Sequence, residues 1–136
     1  MLIDSNILIY ALNSASPKKS LAQAFIQSQK QLVFAQQNIF ETLRILTHHK
    51  FPNPFPTEDA IDSIREISDH ALIITPNFET QELAFELIKK YSITGTEVFD
   101  AYLVATALSN GIKELATDNS KHLRKYSEIT VINPFD

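Results

Sequence analysis

Cysteine is absent from the 136-residue chain. That removes disulfides, thiolate metal sites and a cysteine nucleophile together. A zinc finger goes with them, because four scattered histidines cannot assemble the usual structural site without cysteine. Glycine is almost as scarce, with only Gly95 and Gly111. A dinucleotide-binding fingerprint needs three glycines and a phosphate-binding P-loop needs two close together, so both are excluded. Long apolar runs are missing too. The longest uncharged stretch of apolar character, Ala101 to Ile112, has 12 residues, against about 20 for a helix that spans a bilayer. The start, Met1-Leu2-Ile3-Asp4, has no basic segment and meets a carboxylate at its fourth residue, which does not read as a targeting signal. The expectation is a soluble, cytoplasmic protein with no membrane partner.

Excess positive charge is also lacking. Lys plus Arg is 12 and Asp plus Glu is 16, a net charge of -4. Such a chain does not coat nucleic acid through net charge, although a local basic patch is compatible with it. What is there is ordinary for a globule, with 44% hydrophobic and 21% charged residues. Disorder is excluded on that composition, and the length predicts a single domain over residues 1–136.

Apolar runs and helix-period stretches alternate along the chain. Leu2-Ile3 is a very short strand ending at Asp4, and Asn6 to Leu12 is a short helix. Pro17 suits the first position of a second helix, Lys18 to Lys30, with Leu21, Ala24 and Phe25 at helical spacing. Leu32 to Ala35 reads as a buried strand and Gln37 to Lys50 as the next helix. Pro52, Pro54 and Pro56 then mark a loop. A helix starts at Thr57, a strand covers Ala71 to Ile74, and Phe78 to Tyr91 is amphipathic. Phe99 to Ser109 is apolar nearly all round and so a buried helix, with Gly111 where it would stop. Glu114 to Thr117 and Ile129 to Ile132 are the last strands. This alternation predicts a parallel sheet with helices on both faces, and right-handed crossovers put the strand C-terminal ends on one edge.

Four acids belong to that edge, where open α/β sheets bind ligands. Asp4 ends the first strand, Glu41 lies in the first turn of the third helix, Asp100 starts the buried helix, and Asp118 follows the strand ending at Thr117. Each has a plain structural reading. Asp4 or Asn6 can cap a helix, Asn38 to Glu41 fits a capping box with Glu41 reaching back, Asp100 suits a helix dipole, and Asp118-Asn119 is a good turn pair. Taken together they say more. Carboxylates within a few ångström repel unless one is protonated or a cation sits between them. A hard divalent cation held by oxygen ligands, with its water, is equipment for phosphodiester hydrolysis and needs no side-chain nucleophile.

Asp4-Ser5-Asn6-Ile7-Leu8, then Glu41, then Phe99-Asp100-Ala101-Tyr102-Leu103-Val104-Ala105-Thr106-Ala107, then Leu115-Ala116-Thr117-Asp118-Asn119 resembles the PIN-domain nucleases, and more narrowly the VapC-type toxins of bacterial toxin–antitoxin pairs. The resemblance runs from Leu2 to Ile132. It implies a three-layer α/β/α sandwich with a short, mostly parallel central sheet. It also implies a ribonuclease that uses Mg²⁺ or Mn²⁺ to activate water, with Asp4, Glu41, Asp100 and Asp118 as catalytic residues and metal ligands and Asn6 as a helper beside Asp4. RNA is the implied substrate, a cognate antitoxin the implied protein partner, and a homodimer the implied assembly. One departure is visible: Asn119-Ser120-Lys121-His122-Leu123 follows Asp118, where many members carry a Phe or an Asp-Phe pair.

Two other readings are weighed against it. An aspartyl-phosphate phosphatase would want a second carboxylate two residues after its nucleophile, where this chain has Asn6, and a lysine beside its pocket, whereas Lys113 precedes its strand. A non-catalytic binding module has no use for four intact acids. Of the remaining residues, Glu97 reads first as a helix-start carboxylate and otherwise as bordering the expected pocket, while His48 and His49 end the third helix. His70 and His122 read as surface residues. Arg44, one turn after Glu41, is a candidate phosphate contact. Lys121, Arg124 and Lys125 share one face if a helix follows Asp118, and are candidates to grip RNA together with Asn6. Phe25, Phe34, Phe40 and Phe99 are expected in the core, and the short helix Ile7 to Leu12 is expected to leave apolar surface exposed.

Overall fold

The computed structural model describes all residues 1–136. Five strands form one sheet: β1 (Leu2–Ile3), β2 (Val33–Ala35), β3 (Leu72–Ile74), β4 (Glu114–Ala116) and β5 (Thr130–Ile132). Their spatial order is β3-β2-β1-β4-β5 and every pairing is parallel. The expected three-layer α/β/α sandwich is therefore observed, with a sheet that is wholly parallel.

Seven helices cover it: α1 (Ser5–Leu12), α2 (Lys19–Ser28), α3 (Gln36–Leu46), α4 (Thr57–Ser68), α5 (Thr80–Tyr91), α6 (Val98–Ser109) and α7 (Ser120–Leu123). A 3₁₀ turn at Gly95–Glu97 leads into α6. Alternation along each strand sorts the core into two layers. Leu2, Val33, Ala35 and Leu115 point to one face, against α5 and α6. Ile3, Phe34 and Ala116 point to the other, against Ile7, Leu8 and Ala11 of α1 and Ala22 and Ile26 of α2. The central strands are apolar without a break because both faces are covered. Burying a Leu, Ile or Phe side chain contributes about 1.5–3 kcal/mol, and Leu2, Ile3, Ile7, Leu8, Phe34 and Leu115 are all 0% exposed.

Several expectations change here. The helix from Ile7 to Leu12 leaves little apolar surface: Ile7, Leu8 and Ala11 are buried between sheet and α2, and Ile9 is buried as well. The third helix starts one residue early and stops at Leu46, so Glu41 lies in its second turn and His48 and His49 lie beyond its end. Its start is capped in a different way from the one the sequence suggests: the Asn38 side chain, not Glu41, reaches back, accepting from the Ala35 amide at 3.1 Å. The helix after Asp118 has only four residues, so Lys121, Arg124 and Lys125 do not share a helical face. Gly111 follows α6 with φ 76°, the left-handed conformation that ends helices and favours glycine.

Candidate active site

The strand order reverses direction around β1, with β2 on one side and β4 on the other. Such a switch point opens a crevice beyond the strand C-terminal ends. Asp4 leaves β1 at that crevice and is 8% exposed. A carboxylate so buried must be hydrogen-bonded, and this one is. Its Oδ1 accepts from the Ser5 amide at 2.8 Å and from Asn38 Nδ2 at 3.2 Å, and its Oδ2 accepts from the Thr117 hydroxyl at 2.8 Å. Asn38 is itself 0% exposed, and its amide joins the α3 start to Asp4.

Thr117, also 0% exposed, is the hub of this arrangement. Its oxygen accepts from Asn6 Nδ2 at 2.9 Å and from the Asn119 amide at 3.0 Å. With both lone pairs taken, its one proton is committed to Asp4. Asn6 in turn accepts from the Asp118 amide at 3.1 Å, which ties β1 to the segment after β4. Asn6 is thus linked to Asp4 through Thr117. Asn38 and Thr117 escape sequence reasoning. A buried Asn at a helix start is the only signal the sequence holds for the first, and the second reads as an ordinary strand end.

Glu41 on α3 and Asp100 on α6 complete the acidic group. Both line an open cleft of ≈ 650 Å³ with Gln37, Phe40, Arg44, Thr96 and Phe99. Burial pushes the Asp4 carboxyl above the usual range, against the hydrogen bonds from Thr117 and Ser5. Glu41 is raised by burial and then by the charge of Asp4, with Asp100 adding to it and Ser5 and Arg44 opposing. Asp100 is raised by burial, Asp4 and Glu97, and pulled back by His122 and Lys125. The charge of Asp4 therefore reaches both Glu41 and Asp100, acids from distant parts of the chain. Glu97 borders them as expected, and it holds His122 Nδ1 at 3.3 Å and Lys125 Nζ at 3.5 Å.

Asp118 is arranged differently. Its Oδ2 accepts from Lys18 Nζ at 2.6 Å and from the Tyr10 hydroxyl at 2.7 Å, and its Oδ1 from Asn133 at 3.3 Å. Although burial opposes it, these donors hold its carboxyl below the usual range. The Lys18 ammonium also lies 5.2 Å from the ring centres of Tyr10 and Phe135. The structure thus gives Asp118 a counter-charge of its own, and the negative charges that raise Glu41 come from Asp4 and Asp100 and those that raise Asp100 from Asp4 and Glu97.

Of the candidate RNA contacts, Arg44 lies in the cleft and has no ion-pair partner, and Lys125 lies close enough to act on Asp100. Arg124 turns to Asp136 at 3.6 Å. Lys121 is exposed on α7. The aromatic expectation holds for Phe34, which is 0% exposed, and fails for Phe40 and Phe99, which are 61% and 63% exposed on the cleft. Helix geometry is the reason: each directly precedes a cleft acid, and a step of about 100° around the helix turns it from the core to the rim.

The fold is matched by proteins of known structure. The chain resembles a Klebsiella pneumoniae chain from a toxin–antitoxin complex, with 21% identity, a TM-score of 0.72, and 99% of this chain and 98% of that chain covered. VapBC-1 of nontypeable Haemophilus influenzae gives 18% identity and a TM-score of 0.73, with 99% and 98% covered. VapC20 of Mycobacterium tuberculosis, a Sarcin-Ricin loop cleaving toxin, gives 15% identity and a TM-score of 0.70, with 95% and 98% covered. No curated protein sequence matches significantly. At these identities the structural likeness carries the fold. The PIN domain family model matches residues 1–128, and the chain belongs to the PIN domain family.

Proposed function

We propose that this protein is an endoribonuclease that hydrolyses RNA phosphodiester bonds with Mg²⁺ or Mn²⁺, and the toxin of a type II toxin–antitoxin pair. The observation that carries the reading is the convergence of Glu41 and Asp100 on one cleft, near enough to the buried Asp4 that its charge raises both, while burial raises all three. A cation relieves that repulsion. No three acidic or histidine side chains form a ready-made metal cage. Mg²⁺ keeps several of its waters, so a carboxylate of this group can reach it through a water rather than directly. Asp4, Glu41 and Asp100 would hold the ion. When bound, it supplies a Lewis acid and an activated water at neutral pH.

The chain's own residues do the positioning. Ser5, Asn38 and Thr117 fix both oxygens of Asp4, so its orientation is set before substrate arrives. Glu41 has a raised carboxyl on the open side of the cleft and is suited to take a proton from the attacking water. Arg44 in the cleft, and Lys125 beside Asp100 and Glu97, bind phosphates. Lys121 and Arg124 are removed from the shared grip first expected of them, because the short α7 separates them. The Asp118 carboxylate is taken up by Lys18, Tyr10 and Asn133 and so serves in the framework rather than as a ligand, while its main-chain amide holds Asn6.

The partner in this reading is a small protein that silences the enzyme, as in the toxin–antitoxin complexes among the structural relatives. A groove between α1, α2 and α4, lined by Leu12, Ile26, Leu32 and Ile67, can receive one of its segments. The reading includes a homodimer, which sedimentation velocity checks.

The test is cleavage of an RNA pool with and without Mg²⁺ or Mn²⁺, with a phosphomonoester assayed alongside. Wild type should cut RNA only with metal. Asp100→Asn should lose at least about 100-fold, beyond the 10–100-fold typical of losing an outer-shell partner, and should melt higher than wild type without metal because repulsion is relieved. Asp100 suits this test better than Asp4, where an amide would turn a donor toward donors. Phosphomonoester turnover without RNA cleavage would select the phosphatase instead. Expression should harm a host and co-expression of the neighbouring small gene should rescue it. Harmless expression of active enzyme would remove the toxin and leave the nuclease.

A further inference from the structure

We propose that Phe40 and Phe99 are a base-stacking platform, so that RNA is engaged as a single strand with bases laid on the two rings. The inference rests on the ribonuclease reading and adds to it the form in which substrate is bound.

Phe40 and Phe99 are 61% and 63% exposed, although the chain has a well-formed core on both faces of its sheet. Leaving such a ring in water forgoes about 1.5–3 kcal/mol of burial. Both rings stand on the cleft that holds Glu41, Asp100 and Arg44. The local pattern is the same on the two walls. Phe40 directly precedes Glu41 on α3, and Phe99 directly precedes Asp100 on α6. In each case the acid faces the cleft and the ring flanks it one residue earlier. Gln37 Nε2 donates to the Phe99 carbonyl at 3.3 Å, which ties α3 to α6 beside the rings.

The company of these rings selects the occupant. Arg44, which makes no salt bridge, offers a phosphate contact, and the acids offer a site for the scissile bond. Rings beside a cation along an acidic crevice match a nucleic acid strand, whose bases and phosphates alternate in the same way. A protein surface laid over the rings would have to desolvate Arg44, Glu41 and Asp100 together. Stacking on aromatic rings requires bases free of a duplex, because paired bases are already stacked on their neighbours. The rings therefore favour single-stranded segments and loops over helices, largely without regard to sequence.

The chain has no tryptophan, so Phe40→Trp and Phe99→Trp each install a sole indole reporter. A single-stranded oligoribonucleotide should quench it in the cleavage-deficient Asp100→Asn background, and a duplex of the same sequence should not. In that background Phe40→Leu and Phe99→Leu should each weaken single-strand binding about fivefold or more, with little effect on the duplex. Phe→Tyr at either position should restore it. Phe78→Ala removes a ring that is 92% exposed outside this cleft and should change nothing. Unquenched tryptophan, or leucine variants that bind single strands like wild type, overturns the platform. A change in sedimentation without a change in RNA affinity overturns it in favour of a protein interface. If wild type neither binds nor cuts RNA with metal, the ribonuclease reading has failed and the platform with it. If wild type cuts and the leucine variants match it, only the platform has failed.

Discussion

Thr117 shows how much one hydroxyl can hold. It receives two hydrogen bonds and gives its only proton to Asp4, all without solvent contact. Thr117→Val keeps the shape and removes the oxygen. Asn6 Nδ2, the Asn119 amide and Asp4 Oδ2 then lose a partner, and leaving buried groups unsatisfied costs about 1–3 kcal/mol each, less where water can enter. We expect a clear fall in melting temperature. We also expect Mg²⁺ affinity to drop about 10–100-fold, the usual effect of losing a group that orients a ligand, as read by calorimetric titration. Thr117→Ser should recover most of the metal affinity. A Val variant that binds metal like wild type would make Thr117 a packing residue only.

Elements meet at Asp118 as much as at Asp4. Its carboxylate joins Tyr10 of α1, Lys18 at the entry to α2, and Asn133 after β5, while its amide reaches Asn6. The contacts hold the end of the chain against α1, where Phe135 packs edge-on to Tyr10 at 5.5 Å between centres. Asp118→Asn should therefore act on stability first. Hydrogen bonds to a charged group contribute about 1.5–3 kcal/mol, here discounted because the Lys18 side chain is 39% exposed and its pair is partly screened. Chemical denaturation should show that loss while Mg²⁺ affinity stays unchanged. The opposite pattern, weakened metal binding at unchanged stability, would make Asp118 a ligand after all.

For the molecule as a whole the acids set a pH response. Asp4, Glu41 and Asp100 have folded-state carboxyls raised above ordinary values of 3.8, 4.5 and 3.8. The folded state then binds these protons more tightly than the unfolded chain, so ionisation costs stability. The cost is complete above the raised values and is relieved as pH falls through them toward the ordinary ones. Asp118 and Glu128 are lowered, so their contribution is present above ordinary values of 3.8 and 4.5 and is lost as pH falls below these. Without metal, melting temperature should rise on mild acidification from neutral pH and then fall in stronger acid. Mg²⁺ should raise it most at neutral pH, since a ligand of the folded state alone stabilises by mass action. Asp100→Asn should flatten both effects, and an equal Mg²⁺ gain in wild type and variant would place the metal elsewhere.

The fold was legible because hydrophobic period and breakers are local properties. Leu2-Ile3, Leu32 to Ala35 and Leu115 read as strands between amphipathic helices, and alternation of this kind admits few arrangements. Asp4, Glu41 and Asp100 were legible for the same reason, since strand ends and helix starts share one edge of a parallel sheet. What followed from contacts between distant segments was not. The sequence shows neither that Lys18 meets Asp118 across 100 positions, nor that Asn38 and Thr117 converge on Asp4. The burial of α1, the exposure of Phe40 and Phe99 and the early end of α7 belong with these. An acid's sequence neighbours set whether it can cap a helix. Its charge state, its partners and its company are set by which elements the sheet order brings beside it, because Coulomb forces and hydrogen bonds act through space and not along the chain.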